Sequence, residues 1–465
     1  MTTYEWTASG DSIGLTQTDD GSGVINLFTA QNTTSEPLMS SITVTPTLTN
    51  GGVSSVGDPL TFTITVNPTA QVDEVVSQVL CNNESTDAIN FSTENSGGTT
   101  TYAWTNNNTN IGLGASGDGN IPSFTAIAGT TSETATIVVI PTFTNNDVQC
   151  TGPTETFTII VNPTAQVNEV ASQVLCNTES TDAINFSTEN LDGTTTYAWT
   201  NDNTATGLEA SGNGNIPSFT ATAGTSPEVS TITVTPTYTN NEISCTGPTE
   251  TFTITVNPTA QVDLPDNYEY CDGDTTDIVF TTSNGGDDSV TTYSWAVISD
   301  EDLGLPSTGD GNISELVTNT TNDILTATIS VTPTYTNAGE SCTGPSKEFT
   351  ITVNPTAQVD QVTPIVVCNG DDIADIVFST ANENGTTIYS WTNDNTSIGL
   401  GASGDGNISS FEADNETNDP ITANITVIPS YDVEDPLACT GEEMTFSITV
   451  NPTAQVDLPD NYEYC

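Results

Sequence analysis

The chain has 465 residues and a lopsided charge: 60 Asp and Glu stand against one base, Lys347, for a formal net charge of −59, with no Arg and no His. Nothing in it can replace the counterions of a nucleic-acid backbone, and an anionic membrane surface repels it, so no nucleic-acid partner and no membrane insertion are expected. A disordered acidic tail is excluded as well, because 34% of the residues are apolar and recur in ordered alternating blocks that can bury a core.

The first element in chain order is Tyr4-Glu-Trp6, a polar strand into which Met1 runs directly, with no signal peptide. The same Tyr-x-Trp returns at Tyr102/Trp104, Tyr197/Trp199, Tyr293/Trp295 and Tyr389/Trp391. Turn chemistry follows, as in Gly117-Asp-Gly-Asn120, Asn240-Asn241 and Thr246-Gly-Pro248. Between the turns, segments such as 231–235 and Thr251-Phe-Thr-Ile-Thr-Val256 alternate polar with apolar or β-branched residues, the period of half-buried strands. Each repeat closes on Asn-Pro-Thr-Ala-Gln-Val, beginning at Asn67, Asn162, Asn257, Asn354 and Asn451, at intervals of 95, 95, 97 and 97 residues. A proline ends strand pairing, so this string reads as a short, stiff joint between units. No segment keeps helical spacing, and no apolar run approaches the roughly 18 residues of a membrane helix.

A unit of about 95 residues is too long for a solenoid repeat and suits a self-contained sandwich. The expected fold class is all-β: tandem Ig-like (PKD-like) sandwich modules of about seven strands, arranged as an extended rod. The expected organisation is a partial module over 1–70 that lacks its first strands, and complete modules over 71–165, 166–260, 261–357 and 358–454. The stretch 455–465 is the first strand of a further module. Residues Gln455–Cys465 repeat Gln261–Cys271 letter for letter, so the chain reads as a window in a longer array. The Trp of Tyr-x-Trp is expected in the core rather than at a ligand.

Nine cysteines stand at 81, 150, 176, 245, 271, 342, 368, 439 and 465. Pairing across the joints would link residues 26 apart, such as Cys150 and Cys176. Those would lie on the order of 35–45 Å from each other, at opposite ends of a module, whereas a disulfide tolerates no more than about 7 Å between Cα atoms. Pairing within a repeat joins Cys81 to Cys150, Cys176 to Cys245, Cys271 to Cys342 and Cys368 to Cys439. This assumes that the early cysteine opens the first strand. The first repeat carries Ser55 where the others have the later cysteine, and within-repeat pairing strands only Cys465. Within-repeat disulfides, and with them an oxidising extracellular compartment, are therefore expected. Cysteine pairs so far apart, without His, do not resemble zinc spacing.

The strings Cys81-Asn-Asn-Glu-Ser85, Thr101-Tyr-Ala-Trp-Thr-Asn106, 111–120 and Cys245-Thr-Gly-Pro248 resemble the PKD-like repeats of very large surface proteins of Bacteroidota, gliding-motility adhesins of the SprB type among them. The resemblance spans nearly the whole chain. It implies export by the type IX secretion system, display as filaments on the cell surface, and partnership with the secretion and gliding machinery. Surface substrates or polysaccharide would then be bound by parts outside this window. The repeats mark the stalk rather than the adhesive tip.

An acidic residue follows three places after each early cysteine, at Glu84, Glu179, Asp274 and Asp371, and a second at Asp87, Asp182, Asp277 and Asp375. Calcium at the module junctions would use such oxygens. The adopted interpretation is a solvated, locally capped turn, because no EF-hand-like ligand run is present, and no cofactor is assigned. Near the joints lie Asp73, Asp263, Asp360 and Asp457, with Asn168 at the second joint. The Asp118 of Gly-Asp-Gly-Asn is replaced by Asn213 and Ser22, which is turn behaviour. Without His or Arg there is no Ser-His dyad and no phosphate clamp, and no acidic pair sits in a recognisable cleft, so no enzyme activity is expected. The sequence reads as the stalk of a secreted surface adhesin for attachment and gliding. The alternatives are a subunit of a polymeric fibre, self-associating by strand exchange or lateral packing, and an array of carbohydrate-binding modules.

Overall fold

The computed structural model describes residues 1–15, 23–264, 266–432 and 438–457; Ser22 and Cys465 lie outside them. Strands are numbered within a repeat, using the second as reference: β1 Gln78–Cys81, β2 Thr99–Asn106, β3 Ser116–Asp118, β4 Glu133–Asn145, β5 Val148–Thr151 and β6 Glu155–Asn162. The third, fourth and fifth repeats have the same six elements in the same sheet order, β1-β6-β4-β2-β3, with β5 paired to the far end of β4.

The long strand β4 carries the sheet. Its alternation sends Ala135, Ile137, Val139 and Phe143 fully inward while every second residue stays outside. It ends in a tight hairpin in which Asn146 and Asp147 both take positive φ, 47° and 58°. Both central residues of a type I′ turn require that geometry, and Asn and Asp tolerate it at small cost. Strand β1 runs parallel to β6, with Gln78 opposite Ile159 and Cys81 opposite Asn162.

The core lies between this sheet and a thinner second layer. Trp104 is buried, as are Trp199, Trp295 and Trp391. Each indole is covered by the glycine opposite it across β2 and β3: a Cβ on Gly117 would stand 2.3 Å from the Trp104 ring. The Gly-Asp-Gly-Asn turn is therefore a lid on the tryptophan, and its Asp points away from it, with Asp118 exposed.

The structure departs from a seven-strand sandwich in that second layer. Here the second repeat has isolated bridges, Ser85↔Thr125 and Ile89↔Ile121, rather than a full sheet. Short polar side chains take over the pairing: Asn120 accepts from the Phe91 amide at 3.0 Å, and Asn95 accepts from the Gln71 amide at 2.7 Å. Side-chain bonds of this kind compete with a backbone ladder, which explains the shortened strands. Short 3₁₀ turns, such as Thr109–Ile111 capped by Asn108, complete the loops.

Among the described residues the first unit has four strands, Thr2–Gly10, Leu38–Asn50, Val53–Val56 and Leu60–Val66, the counterparts of β2, β4, β5 and β6. Among the described residues, nothing pairs with the outer edge of Leu60–Val66, where the other repeats hold β1.

Candidate functional site: the joints between repeats

The cysteines do not pair within repeats. Cys81 is bonded to Cys245, Cys176 to Cys342 and Cys271 to Cys439, with Cα atoms 5.6, 5.5 and 5.4 Å apart. Each bond joins the early cysteine of one repeat to the late cysteine of the next. Cys150 and Cys368, also expected in disulfides, are free thiols. The physical reason is the parallel pairing of β1 with β6. Cys81 does not open its strand but ends it, level with Asn162 at the exit of the repeat. Cys150 sits on β5, before β6 begins. The eight residues of β6 place the two ends about 26 Å apart at roughly 3.3 Å per residue, far beyond disulfide reach. The late cysteine of the following repeat is the one that meets Cys81.

The acidic residues after each early cysteine serve that bond. Glu84 accepts a hydrogen bond from the Cys81 amide at 2.8 Å, while the Glu84 amide donates back to the Cys81 carbonyl at 3.1 Å. Glu179, Asp274 and Asp371 hold Cys176, Cys271 and Cys368 in the same way, each at 2.8 Å. Asp87 and Asp182 are bound through their backbones to Gln78 and Gln173. Asp375 accepts from the Ser410 amide at 2.7 Å, and Asp277 lies beside Tyr270. Among the described residues, no group of three or more His, Cys, Asp or Glu gathers as a metal cage.

The acidic residues near the joints are pins of the same kind. Asp73 and Asp360 accept from the hydroxyls of Ser92 and Ser379 at 2.6 Å. Asn168 stands in their place and donates to Ser187 Oγ at 3.0 Å, which is why an amide can replace the carboxylate.

Three further contacts cross the joints. At two of the joints the last asparagine of a repeat clamps the hairpin of the next: Asn162 donates to the Asn240 carbonyl at 2.9 Å and Asn257 to the Asn337 carbonyl at 3.0 Å, whereas Asn354 donates to Glu269 of its own repeat. Asn337 returns a bond to Asn257 Oδ1 at 2.8 Å. The joint alanine then packs into the Thr-Gly-Pro turn. Ala165 is fully buried, and a Cβ on Gly247 would stand 1.8 Å from the Ala165 carbonyl oxygen. Only glycine leaves room for that approach.

A third contact runs from a buried tyrosine. The Tyr238 hydroxyl donates to the Leu191 carbonyl at 2.8 Å, and the Leu191 amide donates to Thr130 of the preceding repeat at 3.0 Å. Tyr335 with Gly285 and Thr225, and Tyr431 with Glu383 and Asn322, repeat the relay. Burial, and then the charge of Asp192, push the Tyr238 phenol above its ordinary pKa. The second repeat has Phe143 at this place and lacks the relay. These tyrosines stand in no motif that recurs in every repeat. The signal was present in the matched strings Thr142-Phe143-Thr144 and Thr237-Tyr238-Thr239, where one repeat drops the hydroxyl.

No helix among the described residues is long and apolar enough to cross a membrane. No family model matches the chain, and no curated protein is similar to it. Among solved structures it is similar to the human Desmocollin-1 ectodomain, at 12% identity over 99% of this chain and 94% of that one, with a TM-score of 0.27. It is similar to Sidekick-1 immunoglobulin domains 1–5, at 11% identity over 97% of this chain and 92% of that one, TM-score 0.25. It is also similar to Drosophila N-cadherin EC1-4, at 12% identity over 81% and 99%, TM-score 0.23. Superpositions this loose carry no argument about function. What the chain's own coordinates establish is an all-β string of repeated units, tied neighbour to neighbour by disulfides.

Proposed function

We propose that the chain is the stalk region of a secreted cell-surface adhesin, built from the modules 71–165, 166–260, 261–357 and 358–454 with a partial one before them. The observation that carries this proposal is the bond between successive repeats, Cys81–Cys245 and its two equivalents. A disulfide inside a repeat would stabilise a fold that already has its own core. Placed across a joint, it restrains the angle between neighbours and carries tension from one repeat to the next. With the tyrosine relay at each of these joints and the asparagine clamp at two of them, each is held at several separate points. Structural disulfides persist in oxidising surroundings, which supports an extracellular location. The −59 charge supports a surface that repels its own copies and stays dispersed.

The resemblance to PKD-like repeats of Bacteroidota supports the finer form of the proposal, a motile adhesin exported by the type IX system. Beads coated with antibody to one repeat, placed on live source cells, test it. Beads carried along the surface are expected; beads that bind and stay put would reject motility and leave a static stalk. The stiffness claim has its own test, by imaging single molecules before and after reduction. Reduction is expected to broaden the distribution of joint angles, and an unchanged distribution would reject the disulfides as the stiffening element.

A further inference from the structure

We propose that the disulfides link segments of successive repeats into two covalent straps that run side by side along the string, so that axial tension bypasses the rest of each repeat and cannot unfold it. The use of the straps rests on the stalk reading, which supplies the tension, while the bond pattern stands without it.

Each strap is built from one recurring segment: late cysteine on β5, then β6, the joint, β1, and the early cysteine. In the third repeat, Ile243–Thr246 and Glu250–Asn257 pair in turn along one edge of Glu228–Asn240. From Cys245 to Asn257 the chain therefore runs straight, broken only at Gly247-Pro-Thr249 beside Pro236. It crosses the Asn-Pro joint and continues as β1 of the fourth repeat, Tyr268–Cys271, which ends level with Asn354. There Cys271 is bonded to Cys439, and the same segment begins again in the fifth repeat. Behind it, Cys245 is bonded to Cys81. The second strap is displaced by one repeat: residues 150–176, the Cys176–Cys342 bond, and residues 342–368.

The third and fourth repeats are each crossed by both straps, one as β6 and the other as β1. These are the strands that pair in parallel, Gln173–Cys176 with Ile254–Asn257 and Tyr268–Cys271 with Ile351–Asn354. The other ladders of the third repeat are antiparallel. Parallel pairing is what two straps loaded in the same direction require.

Tension follows the shortest covalent route. Between Cys81 and Cys439 that route is two disulfides and the 26 residues from Cys245 to Cys271, whereas the backbone bridged by those disulfides spans 164 and 168 residues. Fully extended, 26 residues reach about 94 Å at roughly 3.6 Å each. The two repeats they pass are each at least as long as a thirteen-residue β4, so together they span about 86 Å at roughly 3.3 Å per residue. The strap is nearly taut in the fold. The buried tryptophans, the second layer and strands β2 to β4 lie beside the route and meet the load only through non-covalent contacts.

The test holds the whole chain by tags at its two ends in a force spectrometer. The first unit has no cysteine and serves as an internal control. In the oxidised chain its release is expected, with no repeat-length release from residues 82–438. A dithiol then gives each disulfide two electrons and two protons and closes to its own disulfide. Four further releases should follow, each of about 95 residues, or about 30 nm of contour.

Two double variants separate straps from independent staples. In Cys81→Ser/Cys245→Ser the shortest route must use Cys176–Cys342, with 95 residues from Cys81 to Cys176 and 71 from Cys342 back to Cys271. That route is about 140 residues longer and should release up to about 50 nm. Cys176→Ser/Cys342→Ser leaves the loaded route intact and should release nothing more than the wild type. Bonds that only staple one joint each would make the two variants alike. Equal release, repeat-length steps in the oxidised wild type, or no added release on reduction would each overturn the straps. None of these outcomes bears on motility or surface display, which the bead assay reads separately.

Discussion

The first unit and the third repeat carry nearly the same last strand, Leu60-Thr-Phe-Thr-Ile-Thr-Val66 against Glu250-Thr-Phe-Thr-Ile-Thr-Val-Asn257. In the third repeat the Phe, Ile and Val are buried; in the first unit Phe62 is exposed and Ile64 and Val66 are half-buried. The strand's own letters place its apolar residues on one face. Whether that face leaves water depends on β1 beside it and on the second layer above it. β1 and the 85–91 side of that second layer lie upstream of Tyr-x-Trp, and among the described residues the first unit has no counterpart of either. Burial in these repeats therefore comes from the first thirty or so residues of a unit acting on the last ten.

The contrast predicts its largest effect at the phenylalanine. Phe252→Ala should destabilise the third repeat by about 3–5 kcal/mol, and Phe62→Ala the first unit by less than about 1, because only the first substitution empties a closed core. Hydrogen exchange followed separately in each sheet checks this, and equal losses would show that the first unit is closed in solution. A middling effect is expected at the joint glycines. Gly247→Ala forces a methyl against the Ala165 carbonyl and should cost about 1–3 kcal/mol of protection around that joint. Gly57→Ala meets only Pro46 and should cost little.

The smallest effect belongs to the tyrosine relay. Tyr238→Phe should lower protection of the Leu191 amide by about 1 kcal/mol, the value of one hydrogen bond. The second repeat, with Phe143, already lacks that bond. The same contrast has a pH form. Burial raises the folded pKa of Tyr238 above its unfolded value, so its contribution is complete below the ordinary phenol pKa. It is lost as pH rises through the raised value. Leu191 exchange should accelerate in that alkaline window more than Ser96 exchange, whose amide bonds to Ser35 without a tyrosine behind it.

Much of the fold was legible because it rests on local rules. Alternation places Ile232 and Val234 inside, and the bulk of Trp104 places it in the core. The double-asparagine hairpin at Asn240 announced its turn. The acidic residue three places after each early cysteine is plain in the sequence, but the group it caps, the amide of that cysteine, is fixed only by the fold. About seven short strands are expected per module and six form in the second repeat, with isolated bridges beside them, because Asn120 and Asn95 bond the backbone there through contacts 29 and 24 residues along the chain.

The sequence by itself determined the repeat, the all-β character, the buried tryptophans and the chemistry of the turns, since each depends on neighbours within a few residues. Only the tertiary structure decided which cysteines meet. That outcome turns on the parallel pairing of β1 with β6, which sends Cys81 to the exit of its repeat and leaves Cys150 at the entrance. A strand's letters set which face it buries but not the end of the sheet at which it stops, so a staple inside each repeat and a staple between repeats are written with the same nine cysteines.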